Sequence, residues 1–324
     1  MANPLVEQDA LPRWAERLPP EQLWRAADLK GTKWRRAVPA EVQEELLSEA
    51  SKQPNLLHEP GALLGCPLPS ALKAWALELR TERLDGAGFV VLECPKASPL
   101  RAPHRRLLYA ALGLALGTPI QRYGLLYEVQ DQGGSYTEQA IPVSQTAAAT
   151  GLHTDSSAWD CVPDFVGLLC ERPSPFGGES VLVNAVAAHE WLREQRAESL
   201  VRLYSPYLRD LITPGVDKDL PRRRRNRFPI FADVQGKRPF LLRYMRYWIE
   251  KGHERLGEAL PPAALAAFDN LDRALGRAEF QLRFRLEAGD MLWIDNRRLA
   301  HGREAYGSSP ADGRLLWRMW LSRS

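Results

Sequence analysis

The chain has 324 residues, which allows one large domain or two small ones at about 150 residues per domain. Apolar residues make up 45% and charged residues 26%, so the composition excludes a wholly disordered or collagen-like chain. Lys and Arg total 43 against 40 for Asp and Glu, and a net charge of +3 is too small to indicate a nucleic-acid or anionic-membrane partner.

The N-terminus and the cysteines bear on location. The start, MANPLVEQDALPRW, lacks the basic and apolar regions of a signal peptide, and no apolar run approaches the roughly 18 residues of a membrane span. The four cysteines, Cys66, Cys94, Cys161 and Cys170, show no C-x-x-C spacing. We therefore expect a soluble cytoplasmic protein with reduced thiols and no membrane partner.

Helices dominate the elements predicted in the first third of the chain. Apolar residues recur at helical spacing in VPAEVQEELLSEASK, in LPSALKAWALELRTERL (68–84) and in RRLLYAALGLAL (105–116). Between the last two lies GFVVLECP, a continuous apolar run typical of a buried strand.

Short strand-like segments follow from Tyr123 onward. GLLYEV, DFVGLLCERP and ESVLVNA alternate with turn residues, and EFQLRFRLEAGDMLWID and RLLWRMWLSR resemble closing strands. Between these groups lie two helical stretches, AVAAHEWLREQRAESLVRLY and PPAALAAFDNLDRAL, and the irregular segment TPGVDKDLPRRRRNRFPIF. An irregular segment of that length is usually a lid, a binding loop or disordered. The pattern predicts an α+β domain whose β core is interrupted by helices.

Two of the six histidines have neighbours that suggest metal chemistry. His153 stands two residues before Asp155 in GLHTDSSAW, so in an extended chain both side chains point to one side and reach one ion. His301 follows the strand MLWID in DNRRLAHGREAY. Two imidazoles and one carboxylate form the facial triad of non-haem Fe(II) sites. The alternative is a histidine hydrogen-bonded to a nearby aspartate in a turn.

Two arginines near the C-terminus share one face of a predicted strand. Arg314 and Arg318 are four residues apart in RLLWRMW, interleaved with Leu and Trp. An arginine that faces an apolar interior needs an anionic partner, and a carboxylate fits its planar guanidinium. The partner is either a bound anion or an acidic residue of the protein.

These motifs together resemble a known family. HTD with the strand after it, then PSPFGGESVLVNA, GDMLWIDNRRLAHGREAY and RLLWR, resemble in their order the TauD/TfdA-like Fe(II)/2-oxoglutarate-dependent oxygenases from about residue 80 to the C-terminus. The amino-acid hydroxylase and clavaminate-synthase-like branch is the most similar. The resemblance implies a double-stranded β-helix, or jelly-roll, core with flanking helices and a helical insertion that includes a lid.

The same resemblance implies roles for particular residues. It makes His153, Asp155 and His301 the ligands of Fe(II) and catalytic residues. Arg314 is similar to the arginine that binds the distal carboxylate of 2-oxoglutarate, and Ser180 stands where many relatives carry a cosubstrate-contacting Thr.

The resemblance also implies an activity. We expect an oxidoreductase that uses Fe(II), 2-oxoglutarate and O2 to hydroxylate a small amino-acid-like metabolite, with release of succinate and CO2. Arg318 matches an arginine that contacts the substrate's acidic group in some relatives. The alternatives are a sulfonate or aryloxy-acid dioxygenase, a desaturation, epoxidation or cyclisation, and a non-catalytic jelly-roll binding protein. The oligomeric state stays open.

Three further residues are candidates for the pocket, and the chain can be divided into two regions. Tyr127, Glu128 and Arg243 are candidate pocket liners, with Tyr127 and Glu128 placed against the substrate. We divide the chain into a helical extension (1–60) packed on the core and an oxygenase domain (61–324) with an insertion at about 186–280.

Two histidines and a run of arginines are expected to be exposed to solvent. We expect His189 and His253, in helix-like stretches, to be solvated. The run Arg222–Arg225 lacks interleaved aromatics, so it indicates a solvated lid or an anion-attracting rim rather than a nucleic-acid site.

Overall fold

The computed structural model of the protein describes residues 11–31, 34–94, 100–134, 136, 141–210, 224–236, 238–307 and 313–323. The helices are α1 (Trp14–Arg17), α2 (Ala40–Lys52), α3 (Ser70–Leu79), α4 (Ala102–Leu116), α5 (Ala185–Gln195), α6 (Ala197–Leu203), α7 (Arg246–Leu256) and α8 (Pro262–Leu275). The strands are β1 (Arg35–Ala37), β2 (Phe89–Glu93), β3 (Thr118–Pro119), β4 (Tyr127–Gln130), β5 (Thr150–His153), β6 (Phe165–Arg172), β7 (Ser180–Asn184), β8 (Tyr207–Leu208), β9 (Arg227–Phe228), β10 (Phe231–Asp233), β11 (Phe240–Leu242), β12 (Gln281–Phe284), β13 (Met291–Asp295), β14 (Leu299–Arg303) and β15 (Leu315–Ser322).

Two sheets form the centre of the fold. The larger has the order β1-β2-β13-β6-β15-β3, with β4 also paired to β15, and its pairs are antiparallel except β1 with β2. The smaller has the order β12-β7-β14-β5 and is antiparallel throughout. Their inner faces meet in a shared apolar core that includes Val166 and Leu316 of the larger sheet and Leu182 and Leu299 of the smaller.

Helices cover the outer face of each sheet. Helices α2, α3 and α4 pack on the larger sheet, where Trp293 and Met319 are buried beneath them. Gly167 makes room for this packing, because a Cβ there would lie 2.5 Å from the Trp293 ring. Helices α5, α6 and α8 pack on the smaller sheet around Val183 and Ala300. Strand residues alternate between the two faces of a sheet. Each central strand therefore contributes side chains both to the core between the sheets and to the core beneath the helices, and it is apolar on both sides.

The N-terminal residues contribute to this framework. Strand β1 adds a parallel edge to the larger sheet, with Arg35 opposite Val91. Trp14 is fully buried against the helices of the smaller sheet, and its backbone N–H donates to Glu190 Oε1 at 3.1 Å. Residues 11–60 therefore supply an edge strand as well as helices, and a three-residue strand is too short to be recognised from periodicity.

The mixed α+β character expected from the sequence is confirmed. The irregular segment predicted as a lid or binding loop spans residues 213–231, of which 213–223 lie outside the described residues. Its described part contains β9 and ends at the first residue of β10, so that part is more regular than expected. Among the described helices, none combines the length and the apolar character that crossing a bilayer requires.

Candidate metal centre and active site

Three predicted metal ligands meet between neighbouring strands of the smaller sheet. His153 ends β5, and its Cα lies opposite that of His301 on β14. The two imidazole centroids are 4.5 Å apart, and Asp155 Oδ1 lies 3.4 Å from His153 Nε2 and 3.5 Å from His301 Nε2. One ligand atom from each residue lies within 4.8 Å of the others. This nitrogen and oxygen donor set fits non-haem iron.

The histidines are prepared for metal binding. His153 Nδ1 lies 2.8 Å from the Gly151 carbonyl oxygen, so Nδ1 carries the proton and Nε2 keeps its lone pair. Burial, and then the neighbouring His153 ring, lower the pKa of His301, which favours its neutral, metal-binding form.

Asp155 is fixed at both its backbone and its carboxylate. Its backbone N–H donates to Asn296 Oδ1 at 2.8 Å, and Asn296 Nδ2 donates back to its carbonyl oxygen at 3.2 Å. Trp320 Nε1 donates to Oδ2 at 2.6 Å, and Arg318 Nη1 lies 3.3 Å from the same oxygen.

The electrostatic surroundings keep the Asp155 carboxylate ionised. Burial acts to raise its pKa, but the Arg318 guanidinium outweighs that effect together with the imidazoles of His153 and His301. The pKa of Asp155 is therefore held well below its usual range, and a charged oxygen ligand is ready at neutral pH.

The two predicted arginines both face a cavity beside the triad. Arg314 stands just before β15 and is 6% exposed, with its guanidinium 5.5 Å from the Tyr306 ring centroid. Among the described residues, no carboxylate forms an ion pair with Arg314. Burial, and then the nearby Arg303, lower the pKa of Arg314 to about 10. A buried cation in this state is suited to an anionic ligand.

Arg318 has protein partners of its own. Its guanidinium lies between two rings, 4.9 Å from the Tyr127 centroid and 4.6 Å from the Trp320 centroid, and it contacts Asp155. The observed arrangement is thus the alternative of an ion pair with a protein carboxylate, and that carboxylate belongs to Asp155, a predicted metal ligand.

The cavity has an empty volume of about 1140 Å³, including its open mouth. Tyr127 lines the cavity, and its hydroxyl accepts a hydrogen bond from Gln145 Nε2 at 3.1 Å. Sequence reasoning did not single out the indoles of Trp159, Trp248 and Trp320, which also line it. For Trp320 a signal was present, because it follows Arg318 by two residues on the same strand face.

Glu128 does not reach the cavity, so its placement against the substrate was wrong. It is exposed, lies opposite Trp317 in the β4–β15 pair, and faces away because neighbouring strand residues alternate sides.

Ser180 and Arg243 are buried but lie outside the cavity lining. Ser180 pairs with Arg303 across β7 and β14, on the sheet face that carries His301. The Arg243 guanidinium stacks 3.6 Å from the Phe228 centroid and donates to a backbone carbonyl.

The expectation that His189 and His253 are solvated was wrong. His189 is completely buried, with Nε2 2.9 Å from the Tyr204 hydroxyl, and burial lowers its pKa. His253 is also buried, and its Nε2 accepts from the Leu208 backbone N–H at 3.2 Å. The helices that carry these residues pack against their neighbours at these positions, so both histidines are shielded from solvent.

Of the predicted arginine run, only the last two residues can be placed. Arg224 and Arg225 are exposed, and Arg222 and Arg223 lie outside the described residues.

Comparison with known proteins identifies the family. The model of the taurine catabolism dioxygenase TauD, TfdA family matches residues 55–320, which is well over half of the chain. The chain belongs to this family. A TauD/TfdA protein with a His-Asp-His cluster is an iron- and 2-oxoglutarate-dependent dioxygenase, and the alternative of a non-catalytic binding protein is not supported.

Among curated relatives are two uridine-5'-phosphate dioxygenases. The one from a Streptomyces species is 31% identical over 261 residues, covering 73% of this chain and 86% of the relative. The one from an Amycolatopsis species is 29% identical over 247 residues, covering 71% of this chain and 83% of the relative.

Solved structures share the fold at lower identity. Asparagine oxygenase in complex with Fe(II), hydroxyasparagine and succinate aligns with a TM-score of 0.62 at 17% identity, covering 90% of this chain and 94% of that chain. The non-haem iron oxygenase OrfP with Fe, succinate and hydroxy-L-Arg gives 0.62 at 16% identity with the same coverage. The family predicted from the motifs is confirmed.

Proposed function

We propose that this TauD/TfdA protein binds Fe(II) through His153, Asp155 and His301 and hydroxylates a small anionic metabolite. The observation that carries the proposal is the convergence of three ligand atoms beside a buried arginine, Arg314, that no described carboxylate neutralises. We assign that arginine to the distal carboxylate of 2-oxoglutarate. Ser180 is not part of the cavity lining, but it pairs with Arg303, which is, and on this ground we propose it as a further contact.

Charge balance supports this division of roles. Fe(II) with one carboxylate ligand carries one net positive charge, and the guanidinium of Arg314 adds another. A bound dianion such as 2-oxoglutarate offsets these two charges, which reduces the cost of several kcal/mol, in order of magnitude, that uncompensated buried charge carries. The guanidinium of Arg318 beside Asp155 then remains as a further positive charge at the cavity. When bound, iron and 2-oxoglutarate supply the oxidising chemistry, which consumes O2 and yields succinate and CO2.

The protein's own residues bind and orient the reactants. The aromatic and apolar lining around Trp159, Trp248 and Tyr127 excludes water from the reacting groups. Arg318, stacked on Tyr127, provides a cation at the cavity wall that can exchange Asp155 for an acidic group of the substrate.

For the architecture, we propose a double-stranded β-helix with a lid. Two facing sheets with a common core, both mainly antiparallel, support the β-helix. We also keep the division into a 1–60 extension and a 61–324 oxygenase domain with an insertion at about 186–280, whose helices pack on the outer face of the smaller sheet. The cytoplasmic location stays a prediction.

Two substrate classes have support. A free amino acid agrees with the products bound in the asparagine oxygenase and OrfP structures. A nucleoside monophosphate is the second candidate, because the two curated relatives at 29–31% identity are named for uridine-5'-phosphate. Both candidates carry an anion that suits Arg318. Sulfonates and aryloxy acids carry one as well, and desaturation, epoxidation or cyclisation remain alternative outcomes.

Two measurements test the proposal. Anaerobic addition of Fe(II) and 2-oxoglutarate should give a weak visible charge-transfer band in the wild type and none in Asp155→Ala. Succinate release should then be scored over a panel of amino acids, nucleoside monophosphates, sulfonates and aryloxy acids. The proposal fails if the wild type shows neither the band nor substrate-dependent succinate above the Asp155→Ala background.

A further inference from the structure

We propose that Trp320 is a positioning residue that makes Asp155 a metal ligand through one oxygen only. This inference rests on the proposed metal site. The two carboxylate oxygens have separate surroundings: Oδ1 faces the Nε2 atoms of His153 and His301 at 3.4 and 3.5 Å. Oδ2 accepts a hydrogen bond from the indole N–H of Trp320 at 2.6 Å.

The short bond indicates a strong interaction. Hydrogen bonds from N–H donors to a carboxylate are shorter and about twice as strong as neutral ones. Indole N–H is a donor only, so it can hold an oxygen in place but can neither take its proton nor bind a metal. Arg318 also approaches Oδ2, but at 3.3 Å, which is the longer contact.

The position of the indole is itself fixed. Trp320 lies near the end of β15, on the inner face of the larger sheet, and it reaches across to Asp155 beyond the end of β5 in the smaller sheet. Its ring packs 5.7 Å from the Tyr123 centroid and 4.6 Å from the Arg318 guanidinium. These two contacts limit the movement of the ring and help to direct its N–H toward Asp155.

One-oxygen ligation matters for the number of open metal positions. Two imidazoles and one carboxylate oxygen leave three of six positions free, enough for a two-point cosubstrate and O2. If Oδ2 also bound the metal, only two would remain. Trp320 thus prevents the carboxylate from occupying a position that the reaction requires.

The test replaces Trp320 with Phe, which keeps a ring and removes the N–H. Co(II), which reports its coordination through visible absorption, is titrated into the protein without oxygen or cosubstrate. We expect the dissociation constant to rise about 10- to 100-fold, the usual effect of losing a partner of a metal ligand. The Co(II) spectrum should also change shape. Trp320→Gln, which keeps an N–H donor but loses the ring, should bind Co(II) more tightly than Trp320→Phe.

Trp317→Phe is the matched control. Trp317 lies on the same strand, faces the other side, and donates to Glu171 Oε2 at 3.2 Å, so its loss should leave Co(II) affinity unchanged. Circular dichroism melts confirm that the variants are folded. Wild-type affinity and spectrum in Trp320→Phe, or tighter binding by Phe than by Gln, would overturn the inference. A wild type that binds no stoichiometric Co(II) would instead overturn the proposed metal site.

Discussion

Replacing Arg314 with methionine should raise the stability of the ligand-free protein and at the same time remove its affinity for 2-oxoglutarate. Arg314 is 6% exposed, and burial is the main cause that lowers its pKa from 12.5 to about 10. At 1.36 kcal/mol per pKa unit, this disfavours the charged folded state by about 3 kcal/mol in order of magnitude. Methionine fills a similar volume without a charge, so that penalty disappears.

The effect on the cosubstrate has the opposite sign. Breaking a buried charge pair costs about 3–5 kcal/mol, which at 1.4 kcal/mol per decade is roughly two to three and a half decades of affinity. A ligand at 100 times its dissociation constant stabilises a protein by about 2.7 kcal/mol. In Arg314→Met that stabilisation should fall almost to zero at the same 2-oxoglutarate concentration.

The assay is thermal unfolding of the Mn(II)-loaded protein with and without 2-oxoglutarate. We expect Arg314→Met to unfold several degrees higher than the wild type when ligand-free, and to show no shift when 2-oxoglutarate is added. Arg298→Met is the control, because Arg298 is buried but paired with Asp295 at 2.7 Å, so its loss should lower stability. A lowered melting temperature for Arg314→Met together with a full 2-oxoglutarate shift would refute the assignment.

Three further predictions follow from the site and the core. Asp155→Ala should lose stoichiometric Fe(II) binding and substrate oxidation, and turnover at wild-type rate would disprove the triad. Arg318→Met should raise the KM of the primary substrate and increase succinate formed without product, with little change in the 2-oxoglutarate KM; equal changes in both KM values would argue against substrate contact. The pKa of His189 is lowered by burial, so the unfolded state binds the extra proton, and stability should decline as pH falls below about 6.5. His189→Gln should weaken that decline in pH-dependent melts, whereas the exposed His58→Gln should not.

The metal centre was predictable because its ligands follow local rules. His153 and Asp155 are two residues apart beside a strand, and His301 follows another, so spacing and chemistry together indicated one site. In the same way, the four-residue spacing of Arg314 and Arg318 predicted that both side chains lie on one face of a strand. What could not be read from the sequence was the register that sets His301 opposite His153, since this depends on pairing over a separation of more than a hundred residues.

The wrong expectations have a physical cause as well. Glu128 was grouped with Tyr127 by sequence neighbourhood, although adjacent residues in a strand point to opposite faces. His189 was judged by its polar type, but the aromatic rings of Trp14, Phe231 and Phe240 surround it, and a hydrogen bond to a tyrosine satisfies its nitrogen. Tertiary partners far along the chain decide such burial, and one helix does not reveal them.

The cross-strand histidine pair has a mechanical consequence. Strand β5 lies at the edge of the smaller sheet, and β14 is its sole neighbour in the described sheet order. The ladder between them is irregular between His301 and Arg303, so few backbone bonds secure β5. A metal bound by both His153 and His301 would cross-link β5 to β14 where their backbone pairing is weak. Iron loading would then protect an edge strand from fraying and from pairing with other chains.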